Sequence, residues 1–232
     1  MKINVRDVYQ GVTSLVFPEI CLICNKVFEK VCRSCEYRWL QNASSFRIDD
    51  LTISAVVTYD SESSGVVLKA KEDRNKVARS LMASALANSI ISWKVKTDYA
   101  NLLLVPIPSS KMAIRKRGES FLQPILKSAL QICSSQGVKD LAWQSVLIHQ
   151  KRVKDQSELS FSERHKNLEN AFKINGNLGP GNSLATAKII LIDDVVTTGA
   201  TLLSAARALR ERNMTVLGAA TVCASAHRLL IR

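Results

Sequence analysis

Long apolar runs and secretion signals are missing from this chain of 232 residues. The longest apolar stretch, residues 80–93, is short of the roughly 20 residues that a membrane-spanning helix needs. Lys2 and Arg6 are followed by no apolar core of the kind that a signal peptide carries. We therefore expect a cytoplasmic protein with no membrane insertion.

Aromatic residues and histidines are also few. Aromatic residues make up 6% of the chain, which leaves few platforms on which nucleic-acid bases could stack. The three histidines, His149, His165 and His227, fall in no recognisable catalytic constellation. Basic residues, in contrast, are abundant, and the formal net charge is +12. A basic surface suits a pyrophosphate ligand, nucleic acid or both, and charge alone does not choose between them.

The apolar pattern predicts an α/β fold in which helices flank a parallel sheet. We divide the chain into an N-terminal segment, residues 1–45, and a larger domain, residues 46–232. Predicted helices cover residues 4–17, 76–91, 111–132 and 200–212. Predicted strands cover residues 53–59, 102–107, 145–148, 189–192 and 215–222. Residues 36–50 are interpreted as a connector, residues 60–65 as a turn, and residues 149–166 and 175–182 as polar or flexible loops.

Four of the six cysteines form two Cys-x-x-Cys pairs, Cys21 with Cys24 and Cys32 with Cys35. Two such pairs can meet at one tetrahedral Zn²⁺, and four thiolates make a closed, structural site. Disulfides and thioredoxin-like redox chemistry are the weaker alternatives, because no secretory signal is visible and redox use needs only one pair. An iron–sulfur cluster is the other metal possibility.

The most informative run begins with a buried strand at residues 189–192, followed by Asp193 and Asp194. Ligands of open α/β sheets bind at the carboxyl ends of the strands, where these carboxylates could accept hydrogen bonds from ribose hydroxyls. The loop that follows leads into a helix and could bind a phosphate through backbone N–H groups and hydroxyls. Its residues are Thr197, Thr198, Gly199, Ala200 and Thr201.

This run resembles the signature of type I phosphoribosyltransferases, which bind 5-phosphoribosyl-1-pyrophosphate (PRPP). The resemblance implies that Asp193 and Asp194 are the catalytic acids that hold the ribose and that residues 197–201 hold the 5′-phosphate. It also implies Mg²⁺, bound together with the pyrophosphate group. The alternative is a strand, loop and helix whose acids are merely solvated.

Two basic segments complete the predicted site. In this class a short loop after a sheet strand binds pyrophosphate, and here that loop carries Ser109, Ser110 and Lys111, followed by Arg117. Such enzymes also close a mobile loop over the reacting centre to exclude water, and Arg152 and Gln156 lie in a suitable polar segment. The alternatives are a solvated basic helix start and an ordinary surface loop.

Together, the cysteine pairs and these segments resemble the ComF family, which includes GntX-type proteins. The resemblance extends over residues 18–223 and implies an association with competence and DNA uptake. One departure is visible where the family has Phe followed by Asn or Asp, since this chain has Glu119 and Ser120 before Phe121.

Two functions follow as expectations. The first is transfer of phosphoribosyl from PRPP to an unidentified nitrogen acceptor, with the N-terminal segment supplying or supporting a hood over that acceptor. The second is a non-catalytic PRPP sensor that binds single-stranded DNA or the DNA-uptake machinery through its basic surface.

Overall fold

The computed structural model describes residues 18–27, 29–97, 102–150, 171–175 and 187–229. The predicted helix at residues 4–17 lies outside the described residues, as do most of the two predicted loops at 149–166 and 175–182. Arg152 and Gln156 also fall outside them.

Helices and strands alternate along much of the described chain. The helices are α1 (Arg33–Tyr37), α2 (Ser61–Lys71), α3 (Lys76–Lys96), α4 (Lys111–Arg117), α5 (Leu122–Ser135), α6 (Ala200–Arg210) and α7 (Ala226–Leu229). The strands are β1 (Ser44–Ile48), β2 (Leu51–Tyr59), β3 (Leu102–Pro106), β4 (Leu141–Trp143), β5 (Leu147–His149), β6 (Phe172–Ile174), β7 (Lys188–Val196) and β8 (Thr215–Ser225).

Six strands form one sheet in the order β1-β2-β8-β7-β3-β4. Every neighbouring pair in it is parallel except β1 with β2, which are antiparallel. The inner strands are almost continuously apolar because a parallel sheet is buried on both faces. A separate antiparallel pair, β5 with β6, stands outside this sheet. The expected α/β architecture with a mostly parallel sheet is confirmed.

Alternate residues of β7 enter two cores on opposite faces of the sheet. Ile190 and Ile192 join a cluster with the apolar residues of α2, α3 and α5. Ile189 and Leu191 join a second cluster with the apolar face of α6 and with Phe172 of β6. This period of two along β7 places Asp194 on the α2–α3–α5 face and Asp193 on the α6 face.

The prediction of a turn at residues 60–65 was wrong, because these residues begin α2. Asp60 is the N-cap, its carboxylate accepts the Ser63 backbone N–H, and the Ser63 hydroxyl accepts the Asp60 N–H in return. This reciprocal capping satisfies free N–H groups at the helix start. The serines that suggested a turn therefore stabilise a helix.

Several other elements also differ from expectation. The predicted connector at residues 36–50 contains β1, which pairs with β2 at the sheet edge. The predicted helix at 111–132 is two helices, separated where Gly118 adopts a left-handed conformation with φ of 75°. The short strands β4 and β6 were not predicted, and the strand expected at 145–148 lies at Leu147–His149.

The cysteine-bearing segment packs on the face formed by α2 and α3. Leu22, Ile23 and Val31 contact the core cluster of these helices, and Trp39 is buried in it. The Asn88 side chain of α3 donates hydrogen bonds to the carbonyls of Leu40 and Gln41. The boundary between residues 45 and 46 stays a prediction. None of the described helices combines the length and apolar character needed to cross a membrane.

Candidate functional site

The sheet brings the predicted site segments to one edge. Because β2, β8, β7 and β3 are parallel, their carboxyl ends lie together at Tyr59, Ser225, Val196 and Pro106. Ligands of such sheets bind outside this edge. Asp193 and Asp194 lie near the carboxyl end of β7. The two loops that are expected to bind phosphate groups, one after β3 and one after β7, also begin at this edge.

Asp193 is partly buried directly beside a second carboxylate, Asp194. Asp193 Oδ1 accepts the backbone N–H of Asp194 at 2.9 Å. Burial, followed by the negative charge of Asp194, raises the pKa of Asp193 well above its ordinary value. Two adjacent partly buried carboxylates therefore resist simultaneous ionisation unless a cation or hydrogen-bond donors approach them.

Lys71 provides such a cation and was not foreseen from the sequence. It is the last residue of α2, and its Nζ forms an ion pair with Asp194 Oδ2. The same Nζ lies 5.2 Å from the ring centroid of Phe121, which is buried beneath it. No local signal marks this lysine, because the helix that carries it was interpreted as beginning in a turn.

The loop after β7 ends at an uncapped helix. Gly199, the N-cap of α6, has φ of 84° and no side chain with which to cap the helix, and Thr198 Oγ1 makes only a long contact of 3.4 Å with the Ala200 N–H. A Cβ at Gly199 would lie 2.6 Å from Ile48 Cδ1, so any other residue would displace the Ile48 side chain and would also be strained at this positive φ. Thr197, Thr198 and Thr201 are exposed around this helix start. Free N–H groups and hydroxyls of this kind suit an anion.

The loop after β3 leads into α4, and its residues separate into two groups. Ser110 caps α4 by accepting the Ala113 N–H at 3.1 Å, while Ser109 is partly buried. Lys111 is exposed and forms no ion pair with another described residue. Arg117 lies 3.5 Å from Glu72 and is largely buried, so it is turned toward α2 rather than held free for a ligand.

Glu119, where the sequence departs from the ComF pattern, forms contacts with two arginines. Glu119 Oε1 accepts a hydrogen bond from Arg79 at 2.6 Å and lies 3.9 Å from Arg74. The hydrogen bond from Arg79 is the main cause that lowers the pKa of Glu119, ahead of the Coulombic effect of Arg74. Glu119 therefore ties the α4–α5 turn to α3, and the next apolar residue, Phe121, contacts Lys71.

His149 lies closer to the candidate site than its sequence context suggested. Its Nε2 is 2.9 Å from the Pro108 carbonyl oxygen, in the loop after β3. Its ring packs against Phe172 with centroids 5.0 Å apart and the ring planes tilted by 40°. The β5–β6 pair therefore packs against and supports the loop that carries Ser109 and Ser110.

The four N-terminal cysteines form one cluster. Their Sγ atoms all lie within 4.8 Å of one another, with Cys24 and Cys32 at 3.5 Å and Cys21 and Cys32 at 3.9 Å. A tetrahedral Zn²⁺ with Zn–S distances of about 2.3 Å would place its sulfurs about 3.8 Å apart. The cluster could therefore hold a metal such as zinc.

The thiols of this cluster have unequal acidities. A hydrogen bond with the Ser34 hydroxyl, followed by the Cys35 backbone N–H, lowers the pKa of Cys32 to about 6. Burial and the neighbouring thiols raise the pKa of Cys35. Such crowding opposes four simultaneous thiolates, and a divalent cation at their centre would remove this opposition.

The remaining cysteines are core residues, as predicted. Cys133 and Cys223 are fully buried, and burial raises the pKa of both thiols. For Cys223 the charge of Asp194 adds to this effect.

The mostly parallel sheet with flanking helices is the fold class of the type I phosphoribosyltransferases. Residues 111–230 match the family described as the phosphoribosyl transferase domain. This match covers more than half of the chain, and the protein belongs to that family. The match includes β7, the acid pair, the loop after it and α6.

Among solved structures, two crystal forms of a hypoxanthine phosphoribosyltransferase from Staphylococcus aureus are similar at 16% identity. The TM-scores are 0.35 for the tetragonal and 0.36 for the orthorhombic form. The similarity covers 64% of this chain and 66% of the relative's chain. At these values the relatives do not bear on substrate or activity. No curated protein matches the chain significantly.

Proposed function

We propose that this protein binds PRPP and transfers its phosphoribosyl group to a nitrogen acceptor, with release of pyrophosphate. The observation that carries this proposal is the acid pair Asp193 and Asp194 at the end of β7, immediately before the uncapped N-terminus of α6. Carboxylates can accept the vicinal ribose hydroxyls, while free helix N–H groups attract the 5′-phosphate.

The 5′-phosphate would be held by residues 197–201. Gly199 permits close approach of the backbone, and the hydroxyls of Thr197, Thr198 and Thr201 surround the helix start. The N-terminal end of α6 adds roughly half a positive charge at the same place. The arrangement therefore complements a phosphate dianion without a salt bridge.

The pyrophosphate would be held by the loop after β3. Ser109, Ser110 and the exposed Lys111 lie in the order expected for this role. Arg117 would need to leave Glu72 before it could contribute. Arg152 and Gln156, outside the described residues, remain proposed lid residues. Mg²⁺ bound with PRPP would neutralise part of the pyrophosphate charge.

In the proposed reaction, the bond between ribose C1 and the pyrophosphate oxygen breaks and its electron pair leaves with pyrophosphate. The nitrogen lone pair forms the new bond to C1 through an oxocarbenium-like state. Asp193 and Asp194 would orient the ribose, and the fixed charges of the site would lower the barrier. Positioning and electrostatics therefore account for catalysis better than a dedicated proton donor does.

The cysteine cluster is proposed to bind one structural Zn²⁺ through Cys21, Cys24, Cys32 and Cys35. Four protein ligands leave no open position on the metal for chemistry. The proposed role as a hood, or its support, is favoured by Arg38, which pairs with Asp60 directly after the end of β2. The segment thus reaches the strand-end edge on the side toward which Asp194 points.

The more specific assignment to a ComF-like branch rests on the order of motifs along the chain, and it links the protein to competence and DNA uptake. The second candidate is a PRPP sensor that binds single-stranded DNA. The exposed cation Lys111 and the overall charge of +12 favour that alternative.

Pyrophosphate release from PRPP, measured with a panel of nitrogen acceptors, tests the proposal. Wild type should release pyrophosphate with at least one acceptor, and Asp193→Asn/Asp194→Asn should release none. Asp49→Asn/Asp50→Asn is the matched control, because it changes an exposed adjacent acid pair at the β1–β2 turn.

The outcomes separate the candidates. PRPP binding without turnover for every acceptor would favour the sensor. DNA affinity that falls steeply with salt and survives Asp193→Asn/Asp194→Asn would locate DNA on a separate surface.

A further inference from the structure

Lys71 occupies an unusual position for a helix-terminal lysine. Its side chain is 31% exposed and that of its partner Asp194 only 14% exposed, so the ion pair is partly withdrawn from water. The ammonium also lies over the Phe121 ring, where cation–π attraction helps to hold it in place. Asp194 Oδ2 has no well-directed hydrogen bond among the described residues, so Lys71 is its main charge partner there.

The helix that carries Lys71 is held near both ends by the cysteine-bearing segment. Near the start of α2, Arg38 donates to Asp60 at 2.6 Å and to Glu62 at 2.5 Å. Near its end, Lys69 Nζ donates to the Leu22 carbonyl at 2.9 Å. These contacts fix the rotation and position of α2, and thereby the direction in which Lys71 reaches Asp194.

The charged groups around the acid pair come from several elements. Asp193 and Asp194 are on β7, Lys71 is at the end of α2, and Asp60 with its partner Arg38 lies at the start of α2. The buried Cys223 thiol of β8 is nearby and remains neutral because its pKa is raised. Arg38 is already shared between Asp60 and Glu62, which leaves Lys71, among the residues that the structure describes, as the cation directed at the pair.

The two hydroxyls of a ribose diol need hydrogen-bond acceptors, and a protonated carboxyl group offers fewer acceptor sites than an ionised carboxylate does. The Asp193–Asp194 pair is held back from full ionisation by burial and mutual repulsion. The positive charge of Lys71 acts in the opposite direction and lowers the pKa of Asp193. The ion pair between the Lys71 ammonium and Asp194 would also fix the orientation of that carboxylate.

We propose that Lys71 is a positioning residue of the PRPP site, which holds Asp194 in orientation and offsets the negative charge of the acid pair so that both carboxylates can accept the ribose hydroxyls. This inference rests on the proposed PRPP binding. Lys71 acts through Asp194 and need not touch the ligand itself.

PRPP titration calorimetry from about pH 6 to pH 8.5 tests the proposal with Lys71→Met and Lys71→Arg. A nearby opposite charge lowers a carboxyl pKa by about 1–3 units, so its loss should move the pH midpoint of binding upward by about one unit or more. Lys71→Met should bind about tenfold more weakly near pH 6, and the deficit should shrink as the pH rises. Lys71→Arg should restore most of the affinity and the midpoint.

Lys30→Met is the control, since Lys30 forms an exposed ion pair with Glu19 at 3.0 Å, and it should leave affinity and midpoint unchanged. A folded Lys71→Met variant with wild-type affinity and midpoint would overturn the inference. So would a deficit that stays constant with pH, because that result indicates direct ligand contact or a purely structural effect. Failure of wild type to bind PRPP would instead overturn the proposed function.

Discussion

Replacing Asp193 by Asn should stabilise the fold while it removes a carboxylate that we propose binds the ribose of PRPP. Burial and the charge of Asp194 raise the pKa of Asp193 in the folded protein above its unfolded value. The folded state therefore binds this proton more tightly than the unfolded state. The resulting stability is present below the unfolded pKa and is lost as pH rises through the folded pKa. Asparagine, which does not ionise, avoids this loss.

The size of the effect follows from the charges around Asp193. Two like charges about 4 Å apart repel by about 1 kcal/mol in water and about 4 kcal/mol at an effective dielectric constant near 20. Lys71 already offsets part of the charge of Asp194. We therefore expect Asp193→Asn to raise the free energy of unfolding by about 1–2 kcal/mol near pH 8, which is toward the lower end of the range of repulsion energies. For a chain of this size the gain corresponds to a rise in Tm of about 2–8 °C.

Differential scanning calorimetry of wild type and Asp193→Asn between about pH 5 and pH 8 measures this effect. The difference in Tm should widen as the pH rises. Asp50→Asn provides the control, because Asp50 is exposed, pairs with Arg210 and should show no such gain. An Asp193→Asn protein that is less stable than wild type at pH 8, or a difference independent of pH, would refute the reasoning.

Two further predictions concern the loop between β7 and α6, which we propose binds the 5′-phosphate, and the cysteine cluster. Gly199→Ala should destabilise the protein by about 1–3 kcal/mol in urea unfolding, because its Cβ would lie 2.6 Å from Ile48 and its φ is 84°. Gly65→Ala, in α2 with no atom within 4 Å of its new Cβ, should instead be neutral or stabilising by about 0.5–1 kcal/mol, and equal effects of the two changes would contradict the account. Elemental analysis of protein purified without chelator should find one zinc per chain, and Cys32→Ala should lose that zinc and lower the Tm. A metal-free wild type of full stability would exclude the proposed role of the cluster.

The features that local pattern determines were predictable from sequence. The strand β7, its two acids and the amphipathic helix α6 form one continuous run, so period and residue type identify them without knowledge of the rest. The cysteine pairs were predictable for the same reason, since their spacing alone brings the thiols within reach of one ion.

The features that were missed depend on contacts between distant residues. Lys71 reaches Asp194 only because α2 follows β2 and β7 lies in the same sheet, and no periodicity encodes that proximity. Arg117 was expected to face a ligand, but it pairs instead with Glu72, which directly follows α2. The three-residue strand β4 exists through its pairing with β3 and has no propensity signal of its own.

Titration of wild type with PRPP in the presence of Mg²⁺, beside Asp193→Asn/Asp194→Asn, tests the central claim most directly. We expect one PRPP bound per wild-type chain and no detectable binding by the double variant, whose fold should be retained because both side chains lie at a strand end. Unchanged PRPP affinity in a folded double variant, or no binding by wild type, would contradict the account.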